Sequence, residues 1–483
     1  MAKFNAKLYI NGRCVEGKGA PIDIVSPIDG QVIATIRGAS VEQTEEALQA
    51  AQNAFHSWSH TSLNDRIKWM RKLRDECLKE KETIVELMAL EGGKSFAEAT
   101  NDYNFLADYI DYYAEEAKRV YDTGLTEYGA HRDTFHVIVQ RPIGVVVGHL
   151  AWNMPISNVG LKMSPSMASG CTCVLKPSTA TPLASFKIGE LAERIGLPPG
   201  VLNFVTGPAR EIGNYLSAST IPAMVSVIGS TEVGKEVMKA GATSIKRFSM
   251  ELGGNAPCIV MPDCDFDTAC KWIASRKVRI SGQGCANINR IFVHESIHDK
   301  FVERLVELVS KIKVGWGDDI PDAMGPMINV PTRDKMIHLV EECVSQGGKL
   351  LYGGGIPEGL PENQKAGAYS VPAILDSVTD EMALPNQEIF GPIYAVMTFS
   401  DLDDCIARAN RTRYGLSGYL FTHDARVIGK CVEELEVGEL QVNLPGGGPN
   451  MPHIGLKDSG IGCDRGLWSL AEYYNIRRIS IKP

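Results

Sequence analysis

An α/β protein of at least two domains is expected from three observations. The chain has 483 residues, 44% of them hydrophobic, which is enough for more than one large core. Between residues 143 and 228 short apolar runs alternate with helix-length amphipathic segments, the pattern of βαβ units in a mostly parallel sheet. A second alternation of the same kind begins near Asn255.

The first third reads as largely helical. Ser40 can cap a helix while Gln43 reciprocates, and an Ala-rich stretch carries that helix through Ala54. Further amphipathic segments span about 67–88 and 96–120. The run 143–150 is apolar enough for a buried strand. A helix over 157–169 should follow, with Pro165 a kink or break within it. Then come a strand at 173–175, a helix at 183–195, a strand at 201–205, another helix, and a strand at 223–228. In the second pattern, helices are expected at 299–312 and 331–346 and strands at 369–373 and 393–397, with the Gly-rich run 353–359 a surface connection. The apolar segment 135–140 suits a β arm, and the alternation in 476–481 suits an edge strand that invites pairing with another subunit.

Composition excludes several functions. A formal charge of -9 and a pI near 5.7 leave no bulk basic surface for a nucleic-acid backbone, so no nucleic-acid partner is expected. Met1 to Lys7 precede no signal-like apolar run, and no stretch of about twenty apolar residues occurs, so a cytoplasmic enzyme without a membrane partner is expected. The 12 cysteines are scattered; Cys258, Cys264 and Cys270 match no zinc spacing, and most cysteines should be reduced core residues. Cys171 and Cys173 would share one face of a strand, without the histidines a metal site would need. No metal is expected.

Cys285 closes the stretch Val278-Arg279-Ile280-Ser281-Gly282-Gln283-Gly284-Cys285, and Glu251-Leu252-Gly253-Gly254-Asn255 lies upstream. A soft nucleophile and a carboxylate brought together by folding can attack a carbonyl and then activate water. Gly229-Ser230-Thr231-Glu232-Val233-Gly234 opens a helix directly after a strand, where exposed amides and the Ser230 hydroxyl can receive a pyrophosphate. It is not a G-x-G-x-x-G fingerprint, and an ordinary strand-to-helix turn looks the same.

Six separated motifs share order and spacing with one family: Trp152-Asn153-Met154-Pro155, Lys176-Pro177-Ser178, Gly229-Ser230, Glu251-Leu252-Gly253-Gly254, Gly282-Gln283-Gly284-Cys285 and Glu388-Ile389-Phe390-Gly391-Pro392. The chain thereby resembles the NAD(P)-dependent aldehyde dehydrogenase superfamily over nearly its whole length. Within it, Ala223-Met224-Val225-Ser226 and Lys457-Asp458-Ser459-Gly460-Ile461-Gly462 look nearest to bacterial lactaldehyde/glycolaldehyde dehydrogenases. The resemblance implies an aldehyde dehydrogenase-like α/β fold: a Rossmann-type cofactor domain (1–123, 143–253), an α/β catalytic domain (254–450), a β oligomerisation arm (124–142), and a C-terminal return (451–483) that ends in an oligomerisation strand. It also implies a homodimer or homotetramer.

By the same resemblance, Cys285 attacks an aldehyde, the Asn153 amide and the Cys285 N–H stabilise the oxyanion, hydride passes to NAD or NADP, and Glu251 activates water to release the acid. Glu251 disfavours the coenzyme-A-acylating branch. Trp152, Lys176, Ser178, Thr179, Gly229, Ser230, Gly234, Glu388 and Phe390 are the expected cofactor contacts. Thr179 stands where many NAD-selective relatives carry glutamate, so NADP use is expected. Lys162 matches a lysine near the ribose or a proton path. The expected substrate is a short polar aldehyde such as lactaldehyde or glycolaldehyde. The alternative is succinate semialdehyde or another anionic aldehyde, held by Arg279, which lies six residues before Cys285; Arg279 could instead be an internally paired structural residue. His453 stands where relatives often carry an aromatic residue and either touches a polar substrate or orders its loop. Loss of catalysis, leaving a binding or structural protein, is the nonenzyme alternative.

Overall fold

The computed structural model describes residues 6–126, 134–317, 320–444 and 447–482. Met1 to Asn5 and the arm residues 127–133 lie outside them. The predicted βαβ alternation forms a parallel sheet that runs, in spatial order, Leu202–Phe204, Thr172–Lys176, Val145–His149, Pro222–Ile228 and Arg247–Glu251. Short antiparallel strands flank it on both sides. Chain order runs outward from Val145–His149 in one direction and then restarts on its other side with Pro222–Ile228. This makes a topological switch point, where the crevice beyond the strand ends is open to a ligand, as in Rossmann-type sheets. The central strands are buried throughout, which is why they read as continuous apolar runs.

The second alternation builds a separate seven-stranded sheet centred on Ile288–His294, parallel except for its antiparallel edge Lys349–Tyr352. A third sheet is the arm: Phe135–Pro142 lies between Thr123–Thr126 and Tyr474–Ile481, antiparallel to both. Tyr474–Ile481 is its exposed edge, with Ile476 75% exposed.

Several local expectations change. Ser40 and Gln43 form the capping box, and that helix runs Val41–His60. The helix expected at 67–88 is two, Leu63–Lys79 and Lys81–Gly92, because Glu80 adopts a non-helical conformation between them. Pro165 does not break its helix. Pro155–Ser169 continues through it with every residue buried, so tertiary packing overrides the proline. This helix begins two residues early because Pro155 occupies its first turn, where a missing N–H costs nothing. The strand expected at 369–373 starts only at Ala373 and runs to Asp376, since Pro372 has no N–H for the ladder. Among the described residues no helix is long and apolar enough to cross a membrane.

Candidate active site

The ends of three parallel strands and two loops of the second sheet converge on a cavity of about 220 Å³. Ala151, Trp152 and Asn153 follow Val145–His149; Gly229 and Ser230 follow Pro222–Ile228; Glu251 ends its own strand. Cys285, Glu388 and Phe390 come from the other domain. Trp152 and Phe390 meet edge to face, 5.5 Å between ring centres.

The loop carrying Cys285 is strained and then locked. After the helix Phe266–Val278, both Ile280 and Ser281 take left-handed φ angles of 51° and 52°, costly for a β-branched residue. Distant groups hold them there. The Glu98 carboxylate accepts the Ile280 N–H at 2.6 Å, and the Ser281 hydroxyl donates to the Gly325 carbonyl at 2.7 Å. The Gln283 amide donates to the Ile280 carbonyl at 2.9 Å and accepts the Ile328 N–H at 2.9 Å. Glycine is required next to Cys285: a Cβ at Gly254 would stand 2.3 Å from the Cys285 carbonyl oxygen, and one at Gly282 would stand 2.2 Å from the Gly391 backbone. Asn153 donates one amide hydrogen to the Gln283 carbonyl at 3.2 Å, which fixes the amide plane beside Cys285.

Behind the half-buried Cys285 lies a buried ionic cluster. Burial pushes Glu251 up to about 8, and neither of its carboxylate oxygens has a hydrogen-bond partner among the described residues. His453 Nε2 is 3.7 Å from Glu251 Oε2 and 3.9 Å from Cys285 Sγ, while its Nδ1 is 2.5 Å from Glu439 Oε1. Burial works against the imidazolium, but Glu251 and Glu439 outweigh it and raise His453 well above the usual histidine range. Glu439 is held low: burial opposes its charge, and His453 prevails. Lys162 donates to Asp464 at 2.5 Å beneath Glu251. The Arg465 guanidinium lies within the fields of Tyr109, Glu439, Asp464 and Cys285, and its buried Nε has no partner among the described residues.

The expected cofactor contacts divide. Lys176, at the end of its strand, is buried, is pulled down to about 8 by desolvation, and has no acceptor among the described residues. Glu388 uses Oε1 to accept the Gly254 N–H at 3.0 Å. Ser230 caps the helix Thr231–Gly241 by accepting the Val233 N–H, and its hydroxyl hydrogen is left to donate elsewhere. Unsatisfied cationic and hydroxyl groups along one crevice fit a dinucleotide. Gly234 sits apart from the cavity, where a Cβ would meet Leu252 at 2.7 Å. Ser178 accepts the Ala180 N–H within its own turn, and Thr179 lines a different hollow with Ile22 and Asn329. Arg279 is exposed, and like His453 and Arg465 it does not itself line the Cys285 cavity. Sequence reasoning missed Glu98, Glu439, Asp464 and Arg465, which no local spacing connects to Cys285.

This combination sets a half-buried cysteine and a buried glutamate in one cavity at the switch point of a Rossmann-type scaffold, beside a crevice that fits a dinucleotide. The aldehyde dehydrogenase family profile matches residues 14–479, and the chain belongs to that family. A glutarate-semialdehyde dehydrogenase of Pseudomonas putida is 34% identical over 480 residues, covering 99% of this chain and 98% of the relative. The succinate-semialdehyde dehydrogenase [NADP(+)] of Escherichia coli is 33% identical over 480 residues, covering 99% and 98%. A crystal structure of lactaldehyde dehydrogenase from Escherichia coli superposes with a TM-score of 0.95 at 33% identity, covering 99% of each chain. The comparisons do not single out the lactaldehyde/glycolaldehyde group expected from the sequence.

Proposed function

We propose that this enzyme oxidises a short aldehyde carrying a distal carboxylate, such as succinate or glutarate semialdehyde, to the free acid with NAD or NADP. The observation that carries this reading is the charge around Cys285. The Arg465 guanidinium lies in the fields of Glu439, Asp464 and Cys285, and its buried Nε has no partner among the described residues, so a carboxylate at the far end of the substrate can complete it. The semialdehyde activities in the names of the Pseudomonas putida and Escherichia coli relatives support the same substrate class. Lactaldehyde or glycolaldehyde is the second reading, supported by the lactaldehyde dehydrogenase structure.

In this mechanism Cys285 Sγ bonds to the aldehyde carbon, and the second Asn153 amide hydrogen and the Cys285 N–H receive the negative oxygen. A bound nicotinamide supplies the hydride acceptor. Lys176 would hold the adenosine ribose hydroxyls, Gly229 and Ser230 the pyrophosphate, and Glu388 the nicotinamide ribose beside Phe390 and Trp152. Glu251 in its ionised form takes a proton from the water that cleaves the thioester, and Lys162 with Asp464 holds charge beneath it. Arg465 receives the distal carboxylate; exposed Arg279 is its rival. The edge strand Tyr474–Ile481 suits a homodimer or homotetramer, which light scattering would report.

The direct test is a panel of succinate, glutarate, lact- and glycolaldehyde substrates with NAD and NADP, without coenzyme A, read as cofactor reduction and free acid. Highest efficiency on the semialdehydes is expected. Preference for the neutral hydroxyaldehydes would favour the second reading, and strict coenzyme A dependence would defeat the role of Glu251.

A further inference from the structure

We infer that His453, oriented by Glu439, accepts the Cys285 proton, so that the resting nucleophile is a thiolate facing an imidazolium. The inference rests on Cys285 being the nucleophile proposed above. The imidazole ring joins the other two side chains: Nδ1 is 2.5 Å from Glu439 Oε1, and Nε2 is 3.9 Å from Cys285 Sγ. Nδ1 meets a carboxylate, which can only accept, so Nδ1 carries a hydrogen and Nε2 is the nitrogen that gains or loses the second proton. Nucleophile, base and orienting carboxylate thus stand in the order that activates nucleophiles in unrelated folds. The step needs no co-reactant. The S–H bond breaks, its electron pair stays on sulfur, and the proton bonds to Nε2, with no change in net charge.

The backbone makes this placement rigid. His453 and Asp464 exchange two backbone hydrogen bonds, at 2.7 and 2.9 Å, which fix the main chain under the ring, while the contact with Glu439 holds the ring itself. Glu439 is steadied from the other side by the Ser417 hydroxyl at 3.1 Å. Each neighbouring element presents a charged or titratable group to the ring: Glu251 from its strand end, Glu439 from Glu439–Val442, Cys285 from its loop, Tyr109 from the helix Phe96–Glu116, and Cys463, Asp464 and Arg465 from the segment before Gly466–Glu472. Lys162 stands behind Glu251. Burial opposes the charged form of the ring, while the Glu439 carboxylate favours it, and Glu251 does so as well wherever it is ionised. Glu251, 3.7 Å from Nε2, also lies within reach of the same proton when the sulfur is acylated.

The test is the pH dependence of Cys285 alkylation by iodoacetamide in the full-length enzyme, followed by peptide mass mapping, since only the thiolate reacts. The wild type is expected to label at about pH 6 within about threefold of its rate at about pH 9. In His453→Phe the rate at about pH 6 should fall tenfold or more and recover at about pH 9, and Glu439→Gln should move the same way by a smaller factor. Superimposable profiles for wild type and a folded His453→Phe protein would overturn the inference, because a histidine that merely orders the loop would not move them. If His453→Phe does not fold, Glu439→Gln decides by the same comparison. A Cys285→Ser enzyme that still oxidised aldehydes would instead defeat the proposed function itself.

Discussion

Lys162 and Asp464, 302 residues apart in the chain, meet at 2.5 Å with both side chains buried, and they tie the central helix Pro155–Ser169 to the C-terminal return. Removing one partner strands a charge in a low-dielectric site. Lys162→Met should therefore cost about 3–5 kcal/mol of unfolding free energy, whereas Lys162→Met with Asp464→Leu should recover much of it. Urea denaturation of the two variants checks this; equal losses would mean the pair contributes through packing alone.

Glu251 has no hydrogen-bond partner among the described residues to lose, so Glu251→Gln should leave the first chemical step intact. Rapid mixing with aldehyde and cofactor should still give a burst of cofactor reduction, followed by steady turnover slowed by about 10²–10⁴. Loss of the burst would place Glu251 in the first step.

Burial raises Glu251 to about 8, so its base form fills only as pH rises through that value. Turnover limited by thioester hydrolysis should climb over the same range, and Glu251→Gln should flatten the profile. Stability runs the opposite way. The folded state binds this proton more tightly than the unfolded chain, so the stabilisation is complete below the ordinary carboxylate range and is lost as pH rises through about 8. Melting temperatures at about pH 6 and about pH 9 should differ less in Glu251→Gln than in the wild type.

Arg465 carries a buried Nε near Cys285 that has no partner among the described residues, whereas Arg279 is exposed. Arg465→Ala should lower kcat/KM for succinate semialdehyde by about 10- to 100-fold and leave glycolaldehyde within about threefold, while Arg279→Ala changes both little. The reverse ranking would return the carboxylate to Arg279.

Thr179 leaves the position near Lys176 without a negative charge. Thr179→Glu should reduce the efficiency with NADP about tenfold more than with NAD, as steady-state kinetics with the two cofactors would show. An unchanged ratio would detach Thr179 from cofactor choice.

The parts of this architecture that repeat locally were readable before folding. Ser40 and Gln43 declare a helix start through their own side chains, and the runs around Val147 and Val225 declare buried strands because both faces are covered. Pro165 and Pro372 show the limit. One is tolerated because a fully buried helix surrounds it; the other delays its strand because the ladder needs an N–H. Arg279 and Arg465 show a second limit: spacing along the chain pointed only to Arg279, while Arg465, whose Nε is buried, comes near Cys285 only in the fold.

Residue types and spacing were sufficient for the α/β scaffold and the family, because each depends on short-range periodicity or on motifs a few residues long. The electrostatic setting of the site came from contacts between distant segments: Glu98 at the Ile280 turn, Glu439 on His453, Asp464 on Lys162. Charge acts through space rather than along the chain. The protonation of Glu251 and His453 is therefore a property of burial and neighbours that exists only once the two sheets have closed over them.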